Sequence, residues 1–479
     1  MVTSDRRKWL ALALLSAVQF MVVLDIAIVN VALPSIKVDL GFSQQNLQWV
    51  ISAYALTFGG FLLLGGRAAD LLGRRRIFLV GLVVFTLASL FAGLAWSEGS
   101  LITARAVQGL GAAIISPAAL SILSTTFREG RERNLALGVW GAVGGFGAAA
   151  GVLLGGVLTD ALSWSWIFYV NVPVGVAAFA LTPLLLRESR DATVRSFDAV
   201  GAALVTGGLS SLVYAITQAG QQGWLAGRTI GFFAAGLVLL VGFIAWERRH
   251  AEPLMRFGLL RTRTVTGANV VAFIMGTAMF SMFLILTLYM QQVLHYSAMK
   301  TGVAYLAVAG TAIVWSTVAA MLVTRIGVKP VLVAGMIALT GGLAWFTQVS
   351  VGGSYASDLL PGFLLVGFGI GFAFVPISIA ALAGVAPAEA GLASGLFNTS
   401  QQIGGALGIA ALSTIATSRT GEKVAAGVSA PSALIDGFTL AFLVGAGTAA
   451  AGIIAALTLI RRDELEPAVA IEPALDLAA

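Results

Sequence analysis

The stretch that decides the fold is GRAADLLGRRR, residues 66–76, which holds one acid and four arginines between two apolar segments. Each neighbouring segment, 47–66 and 77–96, has about 20 residues, the length of helix that crosses a hydrocarbon core of roughly 30 Å. Gly66 and Gly73 allow a tight turn close to neighbouring helices. We therefore interpret residues 66–76 as a short loop that joins two membrane-spanning helices.

The rest of the chain has the composition of a membrane protein. Of its 479 residues 58% are hydrophobic and 10% charged, with a mean hydropathy of +0.94, whereas about 25% of residues are charged in soluble domains. About fourteen apolar stretches of near-spanning length follow one another. Six come before residue 190, at 9–34, 47–66, 77–96, 101–123, 135–158 and 164–186. Two shorter ones follow at 200–217 and 230–246, and six more end before residue 462, at 265–294, 302–324, 331–351, 359–385, 391–417 and 438–460. The predicted fold class is an all-α membrane protein with fourteen transmembrane helices.

The positions of the basic residues indicate the orientation in the membrane. With the N-terminus inside, most of the 28 Lys and Arg residues fall in cytoplasmic segments, as basic loop residues do in membrane proteins. Both termini are therefore predicted to be cytoplasmic, and the tail 463–479 is predicted to be disordered. The net charge of +6 has the same explanation, so the expected partner is the lipid bilayer and not a nucleic acid.

Two motifs occur twice in the chain at nearly the same separation. The GRRR motif that begins at Gly73 is echoed by GVKP at Gly327, and each is followed by a glycine eight positions later. Glycines at 138, 147 and 151 are echoed with the same gaps at 395, 404 and 408. The repeat predicts two parallel six-helix halves, 1–190 and 261–462, joined by an inserted transmembrane hairpin at 191–260. Parallel halves of this kind place a substrate site between them near the bilayer midplane.

Two charged residues, Asp25 and Arg105, fall inside the apolar stretches. An ionised side chain near the bilayer centre costs roughly 2.5 to 3.5 kcal/mol on insertion scales, so both are candidates for function. At a helical rise of 1.5 Å per residue, Asp25 lies about 8 Å and Arg105 about 6 Å from the outer boundary of the hydrocarbon core. At matching depth, on neighbouring helices, the two side chains can form an ion pair.

The residue content excludes several classes of activity. Cysteine is absent, the two histidines fall in predicted loops without a neighbouring metal ligand, and no GxxxxGK nucleotide loop is present. We therefore expect no metal, no cofactor other than a proton gradient and no enzymatic activity. A transporter with a proton-responsive site is favoured over a non-transporting receptor or a membrane enzyme.

Several motifs resemble the major facilitator superfamily, and within it the fourteen-span drug:proton antiporter family. Residues 66–76 look like the superfamily's loop between spans 2 and 3, and LDIAIVNVALP at 24–34 resembles the first-span motif of the fourteen-span family. RAVQGLG at 105–111 is similar to the fourth-span motif, and residues 163–173 are similar to the start of the sixth span. The glycines of span 5 reproduce the antiporter motif, although Val152 stands where the family has proline.

The resemblance covers nearly the whole chain and implies the major facilitator fold, with fourteen transmembrane helices as two parallel six-helix halves plus an inserted helix pair. It also implies roles for three groups of residues. The proton-coupling residues are Asp25 and Arg105. The residues of a conformational latch are Gly66, Asp70, Gly73 and Arg74. The antiporter-motif glycines are Gly138, Gly147, Gly151 and Gly155.

The acid–base pair suggests how protonation drives transport. A helix movement that changes the separation of Asp25 and Arg105 changes the proton affinity of the carboxylate. In the inferred cycle, Asp25 takes a proton from outside, substrate binds from the cytoplasm, and proton release inside accompanies substrate exit outside. Two alternatives stay open: a static salt bridge that fixes helix register, and direct contact of Asp25 with a cationic substrate.

The implied function is proton-coupled efflux of drugs or antibiotics across the bacterial cytoplasmic membrane by alternating access, carried out by a monomer. Because the C-terminal half has no membrane acid to match Asp25, monocationic or neutral amphipathic compounds are expected in a mostly apolar pocket. The alternative is a proton-substrate symporter or facilitator of the same fold for a small metabolite. The candidate substrate contacts are polar or aromatic: Asn30, Trp49, Tyr54, Gln108, Asn398 and Gln402.

Overall fold

The computed structural model describes residues 4–127, 131–189, 198–250, 253–254, 257–385, 390–461 and 464–465, and the regular elements in these ranges are all helices. Up to residue 189 they are α1 (Ser4–Leu40), α2 (Trp49–Leu72), α3 (Arg74–Gly93), α4 (Glu98–Thr126), α5 (Arg131–Ala161), α6 (Trp166–Tyr169) and α7 (Asn171–Leu185). The later ones are α8 (Ala199–Gln222), α9 (Gly227–Glu247), α10 (Arg263–Leu288), α11 (Ala298–Ile326), α12 (Val328–Trp345), α13 (Leu360–Ala380), α14 (Ala390–Ala425) and α15 (Ala430–Leu459). Apart from 464–465, the tail predicted to be disordered lies outside the described residues.

Twelve helical stretches in the described residues are long and apolar enough to cross a membrane. They coincide with twelve of the fourteen predicted spans. The fifth and thirteenth predicted spans fall on α5 and α14, which are long helices but are not among the twelve. The described residues therefore show an all-helical membrane protein with twelve candidate spans, and the count of fourteen stays a prediction.

Several helix boundaries differ from the sequence prediction. Residues 66–76 do not form a loop: α2 continues to Leu72, α3 begins at Arg74, and only Gly73 lies between them. The first span was predicted to end at Pro34, but α1 continues to Leu40 with the proline inside it. Membrane helices tolerate an internal proline because local adjustments and neighbouring groups satisfy the freed backbone. The predicted sixth span is divided into α6 and α7, with Val170 between them. Asn171 is therefore the first residue of α7, and its side chain is buried.

The helices pack in the same order in the early and late parts of the chain. α1 packs on α5, while α2 and α3 pack on α4; likewise α10 packs on α14, while α11 and α12 pack on α13. The two parts meet along two seams, one between α5 and α11 and one between α2 and α14. α8 and α9 pack on each other, and α8 also lies against both α2 and α14. We call the end of the bundle where α1 ends the far face, and the end where α1 begins the near face.

Glycines bring α5 close to α1. A Cβ atom built on Gly151 would lie 2.8 Å from the Leu24 carbonyl oxygen, and one on Gly155 would lie 2.7 Å from the Ile28 carbonyl oxygen. Backbones that approach this closely leave no room for a side chain, which is how small residues join membrane helices. Gly147 faces the same helix at ordinary to tight distances, whereas the surroundings of Gly138 lie outside the described residues.

Candidate functional site

The structure brings Asp25 of α1 and Arg105 of α4 into direct contact. Nη1 of Arg105 lies 2.6 Å from Oδ2 of Asp25. The two side chains are 0% and 1% exposed. Because neither charge reaches solvent, each depends on the other and on nearby polar groups for its stabilisation.

Two amide side chains complete the shell around the carboxylate. Nε2 of Gln108 donates to Oδ1 of Asp25 at 2.7 Å, and Nδ2 of Asn171 donates to the same oxygen at 2.8 Å. Gln108 also donates to the hydroxyl of Ser89 at 2.8 Å. Asp25 thus accepts three hydrogen bonds, from α4 and α7, and every donor is suited to a charged carboxylate.

The guanidinium of Arg105 has acceptors besides Asp25. Its Nε donates to the Val50 carbonyl oxygen at 2.9 Å, and its Nη1 donates to Oε1 of Gln108 at 2.6 Å. Its central carbon lies 4.4 Å from the ring centroid of Tyr54 and 5.6 Å from that of Phe168. A cation between an aromatic face and three acceptors is held by α2 as well as by α1, so Arg105 connects three helices.

Two polar atoms beside this network are buried without a hydrogen-bond partner among the described residues. They are Oδ1 of Asn171 and the hydroxyl of Tyr54. The Asn171 amide therefore donates from Nδ2 to Asp25, while its Oδ1 accepts no hydrogen bond from the described residues. The sequence motifs assign no role to Asn171 or to Ser89. Only the packing of α3 and α7 against α1 and α4 reveals their contacts.

Three of the four predicted latch residues, Asp70, Gly73 and Arg74, lie together at the near face. Gly66 lies further along α2, where a Cβ atom would be 3.4 Å from Pro117 of α4. Nε of Arg74 donates to Oδ1 of Asp70 at 2.8 Å, and Ser121 of α4 donates to the same oxygen at 3.3 Å. Gly73 has a φ of 111°, and a Cβ atom there would lie 2.8 Å from the Glu188 carboxylate. Glu188 accepts from the backbone amide of Arg75 at 3.1 Å, so this acid, which the sequence reasoning missed, belongs to the same cluster.

The predicted substrate contacts do not form one pocket. Tyr54 and Gln108 belong to the acid–base network, and Asn30 donates within its own helix to the Ile26 carbonyl oxygen at 3.1 Å. Trp49 faces away, towards the ring of Tyr214 on α8.

The two candidates on α14 differ from each other. Asn398 is exposed and donates to the Ser394 carbonyl oxygen at 3.0 Å. Gln402 is buried against α2, where a Cβ atom built on Gly59 would lie 3.1 Å from the Gln402 Cβ. Of the six predicted contacts, only Asn398 has an exposed side chain in this conformation.

No group of three or more His, Cys, Asp or Glu residues within the described ranges is arranged to hold a metal ion. The network is built from one acid, one base, two amides and a hydroxyl. These groups pair opposite charges and share hydrogen bonds in the buried interior.

The sequence pattern of the Major Facilitator Superfamily matches residues 15–409. The chain belongs to this superfamily. Puromycin resistance protein pur8 of Streptomyces alboniger is 43% identical over 450 residues, which are 92% of this chain and 89% of that protein. Cephamycin export protein CmcT of Amycolatopsis lactamdurans is 40% identical over 415 residues, which are 86% of this chain and 85% of that protein.

Solved structures of other transporters have a similar fold. The nucleoside transporter NupG aligns with a TM-score of 0.64 at 14% sequence identity, covering 95% of this chain and 100% of that one. At this identity the likeness concerns the arrangement of helices and carries no information about the transported compound.

Proposed function

We propose that this member of the superfamily exports a drug or antibiotic across the bacterial cytoplasmic membrane by alternating access, in exchange for protons. The observation that carries the proposal is its similarity, over most of both chains, to a puromycin resistance protein and a cephamycin export protein. The acid–base network supplies the proton-exchanging group that such an exporter needs.

The proposed topology has fourteen spans, with α5 and α14 as the fifth and thirteenth. These helices have 31 and 36 residues, more than the roughly 20 that a bilayer core requires. Residues 1–190 and 261–462 are then two six-helix halves, 191–260 is the inserted hairpin, and both termini are cytoplasmic. The recurring order of helix packing supports this division. The far face is accordingly the outer side of the membrane.

In the proposed proton step, Asp25 changes partners when it is protonated. In the present conformation it accepts three hydrogen bonds, an arrangement that suits a deprotonated carboxylate. A protonated Asp25 has a hydroxyl to donate, and the idle Oδ1 of Asn171 becomes an acceptor for it when the amide turns over. Arg105 keeps the Val50 carbonyl and the Tyr54 ring while α1 moves. Each charge that crosses a potential of 100 mV contributes about 2.3 kcal/mol.

The segment 66–76, where α2 ends and α3 begins, is proposed to act as a latch at the near face. Asp70, Arg74 and Ser121 tie the end of α2 to the start of α3 and to α4, so these helices move as one unit. Asp70→Asn is expected to lower transport rate without lowering the affinity for substrate, because the residue is remote from the acid–base network.

The proposed substrates are monocationic or neutral amphipathic compounds, carried by a single copy of the chain. The contacts expected from Asn30, Trp49, Tyr54, Gln108, Asn398 and Gln402 remain predictions. Because several of these side chains are buried here, substrate contact requires helix movement. Transport measured for alanine variants of the exposed Asn398 and the buried Gln402 separates surface access from interior binding.

Drug susceptibility in an efflux-deficient host, with and without a protonophore, tests the proposal. Expression should raise resistance to some members of a panel that includes puromycin and a cephamycin, and the protonophore should abolish the difference. Asp25→Asn should abolish it as well, whereas Asp39→Asn, on the same helix but bonded to the Trp164 indole nitrogen, should retain it. Proton-driven uptake of a metabolite, with unchanged resistance, would instead identify the symporter or facilitator.

A further inference from the structure

The side chain of Gln48 joins three helices at the far face. Gln48 precedes the first residue of α2 and is 1% exposed. Its Nε2 donates to the hydroxyl of Thr217 on α8 at 2.7 Å. Its Oε1 accepts from the hydroxyl of Ser413 on α14 at 2.6 Å. The two ends of one amide thus bond to two helices that are far apart in the sequence.

The direction of these hydrogen bonds is fixed by the partners. The hydroxyl proton of Thr217 is already donated to the Val213 carbonyl oxygen at 2.9 Å. Thr217 can therefore only accept from Gln48, which leaves the amide oxygen facing Ser413. All three side chains are at least nine-tenths buried. Thr217 and Ser413 also have the Val213 and Ala410 carbonyl oxygens of their own helices as acceptors. The Gln48 amide that lost a partner here would stay unsatisfied until water entered, which makes the junction costly to break.

A small apolar cluster continues the junction along the same three helices. Its buried residues come in pairs from α2, α8 and α14: Ala55 and Leu56, Leu209 and Val213, and Ala406 and Ala410. Closer to the far face, the hydroxyl of Thr414 on α14 donates to the Ile216 carbonyl oxygen at 3.4 Å. α8 is thus packed into the α2/α14 seam and bonded to both of its sides.

The other seam is closed by a different and more accessible contact. Asp160 at the end of α5 accepts from the backbone amides of Ala298 and Met299, the first residues of α11, at 3.2 and 2.8 Å. Asp160 is exposed. Water can replace a partner there as soon as the helices separate, so this seam opens without leaving a buried polar group unpaired.

We propose that Gln48 is a positioning residue of the transport cycle, which uses the inserted α8 as a clasp across the α2/α14 seam and so limits opening of the far face. The proposal rests on the proposed function, because opening at the far face is the step that releases an exported compound. α2 and α14 cannot separate there without breaking the Gln48–Ser413 hydrogen bond. α2 likewise cannot leave α8 without breaking the Gln48–Thr217 hydrogen bond. The inserted hairpin thereby acquires a role in gating.

Pulsed electron paramagnetic resonance can measure this opening without any substrate. The chain contains no cysteine, so spin labels can be placed at Val38→Cys on α1 and Val424→Cys on α14 without background. Both positions lie near the far ends of their helices and are 84% and 51% exposed. The population of the longer distance between the labels reports opening of the far face.

Thr217→Val removes the acceptor while keeping the shape of the side chain, and we expect it to raise the ratio of open to closed molecules roughly tenfold, which corresponds to about 1.4 kcal/mol. Thr217→Ser keeps the hydroxyl and should restore the original distances. Ser211→Ala is the matched control, because among the described residues that hydroxyl donates to the Gly207 carbonyl oxygen within α8 and to no other helix. Gln48→Leu should resemble Thr217→Val if it inserts normally.

Equal distance distributions for Thr217→Val, Thr217→Ser and Ser211→Ala would overturn the proposal, whether or not Gln48→Leu can be purified. A shift that the serine variant does not reverse would also overturn it, since methyl packing and not the hydrogen bond would then be responsible. A reversible shift in a protein that exports nothing would leave the junction intact and refute the efflux function instead.

Discussion

Removing either charge of the Asp25–Arg105 pair should destabilise the protein, and removing both should cost less than the sum of the two single changes. Arg105→Gln leaves a carboxylate that is 0% exposed, with amide groups as donors but no opposite charge beside it. Breaking a buried ion pair by removing one partner costs about 3–5 kcal/mol. Asp25→Asn leaves a guanidinium that keeps the Val50 carbonyl, the Gln108 amide oxygen and the Tyr54 ring, so its cost should lie near the lower end of that range.

The double variant Asp25→Asn/Arg105→Gln removes both buried charges and leaves amides that can hydrogen-bond to one another. It should therefore be more stable than the sum of the single changes predicts, by about 2–3 kcal/mol. Unfolding in mixed micelles of increasing sodium dodecyl sulfate, followed by tryptophan fluorescence, gives the free energy of unfolding for each variant. Single changes that each cost under about 1 kcal/mol and add without coupling would refute the view that these charges are desolvated partners.

The same variants separate stability from transport. In proteoliposomes at 100 mV, exchange of one proton for one neutral substrate molecule moves one net charge and supplies about 2.3 kcal/mol, enough for a substrate gradient of about 50-fold. Wild-type protein should build a gradient of this order, whereas Asp25→Asn and the double variant should only equilibrate the substrate. A double variant that is stable and still drives uphill export would show that the carboxylate is not the coupling group.

Three further changes test contacts elsewhere. Asn171→Ala removes one donor from the Asp25 carboxylate, worth about 1 kcal/mol, and should slow proton-driven efflux about fivefold in vesicles with little change in substrate KM. Gly151→Val places a side chain against the backbone of α1 and should lower stability by about 1–3 kcal/mol in thermal melts, whereas Gly341→Ala, with open space around it, should change it little. Gly73→Ala forces a φ of 111° on a residue with a side chain next to a carboxylate, so resistance should fall at equal expression.

The sequence predicted the structure well where a simple physical rule applies to a residue, such as the length of an apolar run or the depth of a charge in the membrane. Apolar length predicted the helices, and counting residues from the helix ends placed Asp25 and Arg105 at the same depth, where the structure has them in contact. The end of α1 was placed too early because a proline at position 34 resembles a helix boundary in water. Within a membrane helix its lost hydrogen bond is less decisive than the surrounding packing.

The rest of the network depends on contacts between helices that no local pattern encodes. Asn171 lies in the motif at 163–173, the start of the predicted sixth span. Only the division between α6 and α7 places its side chain beside α1. Glu188 and Gln48 read as ordinary polar residues at span ends, and only the folded bundle shows what each one bonds to. Amide and carboxylate side chains at helix ends are common on any surface, so burial is the observation that distinguishes Gln48 and Asn171. Glu188 is exposed, and its contacts with Gly73 and Arg75 are what distinguish it.

The position of α8 makes the two seams of the bundle differ in how many helices separate them from the lipid. At the α2/α14 seam, α8 covers the groove between the two helices and packs on α9 in turn. On the other side, where α5 meets α11, the described residues include no such cover. A molecule dissolved among the acyl chains therefore meets α9 and α8 before it reaches the α2/α14 seam, whereas it meets α5 and α11 directly at the other seam.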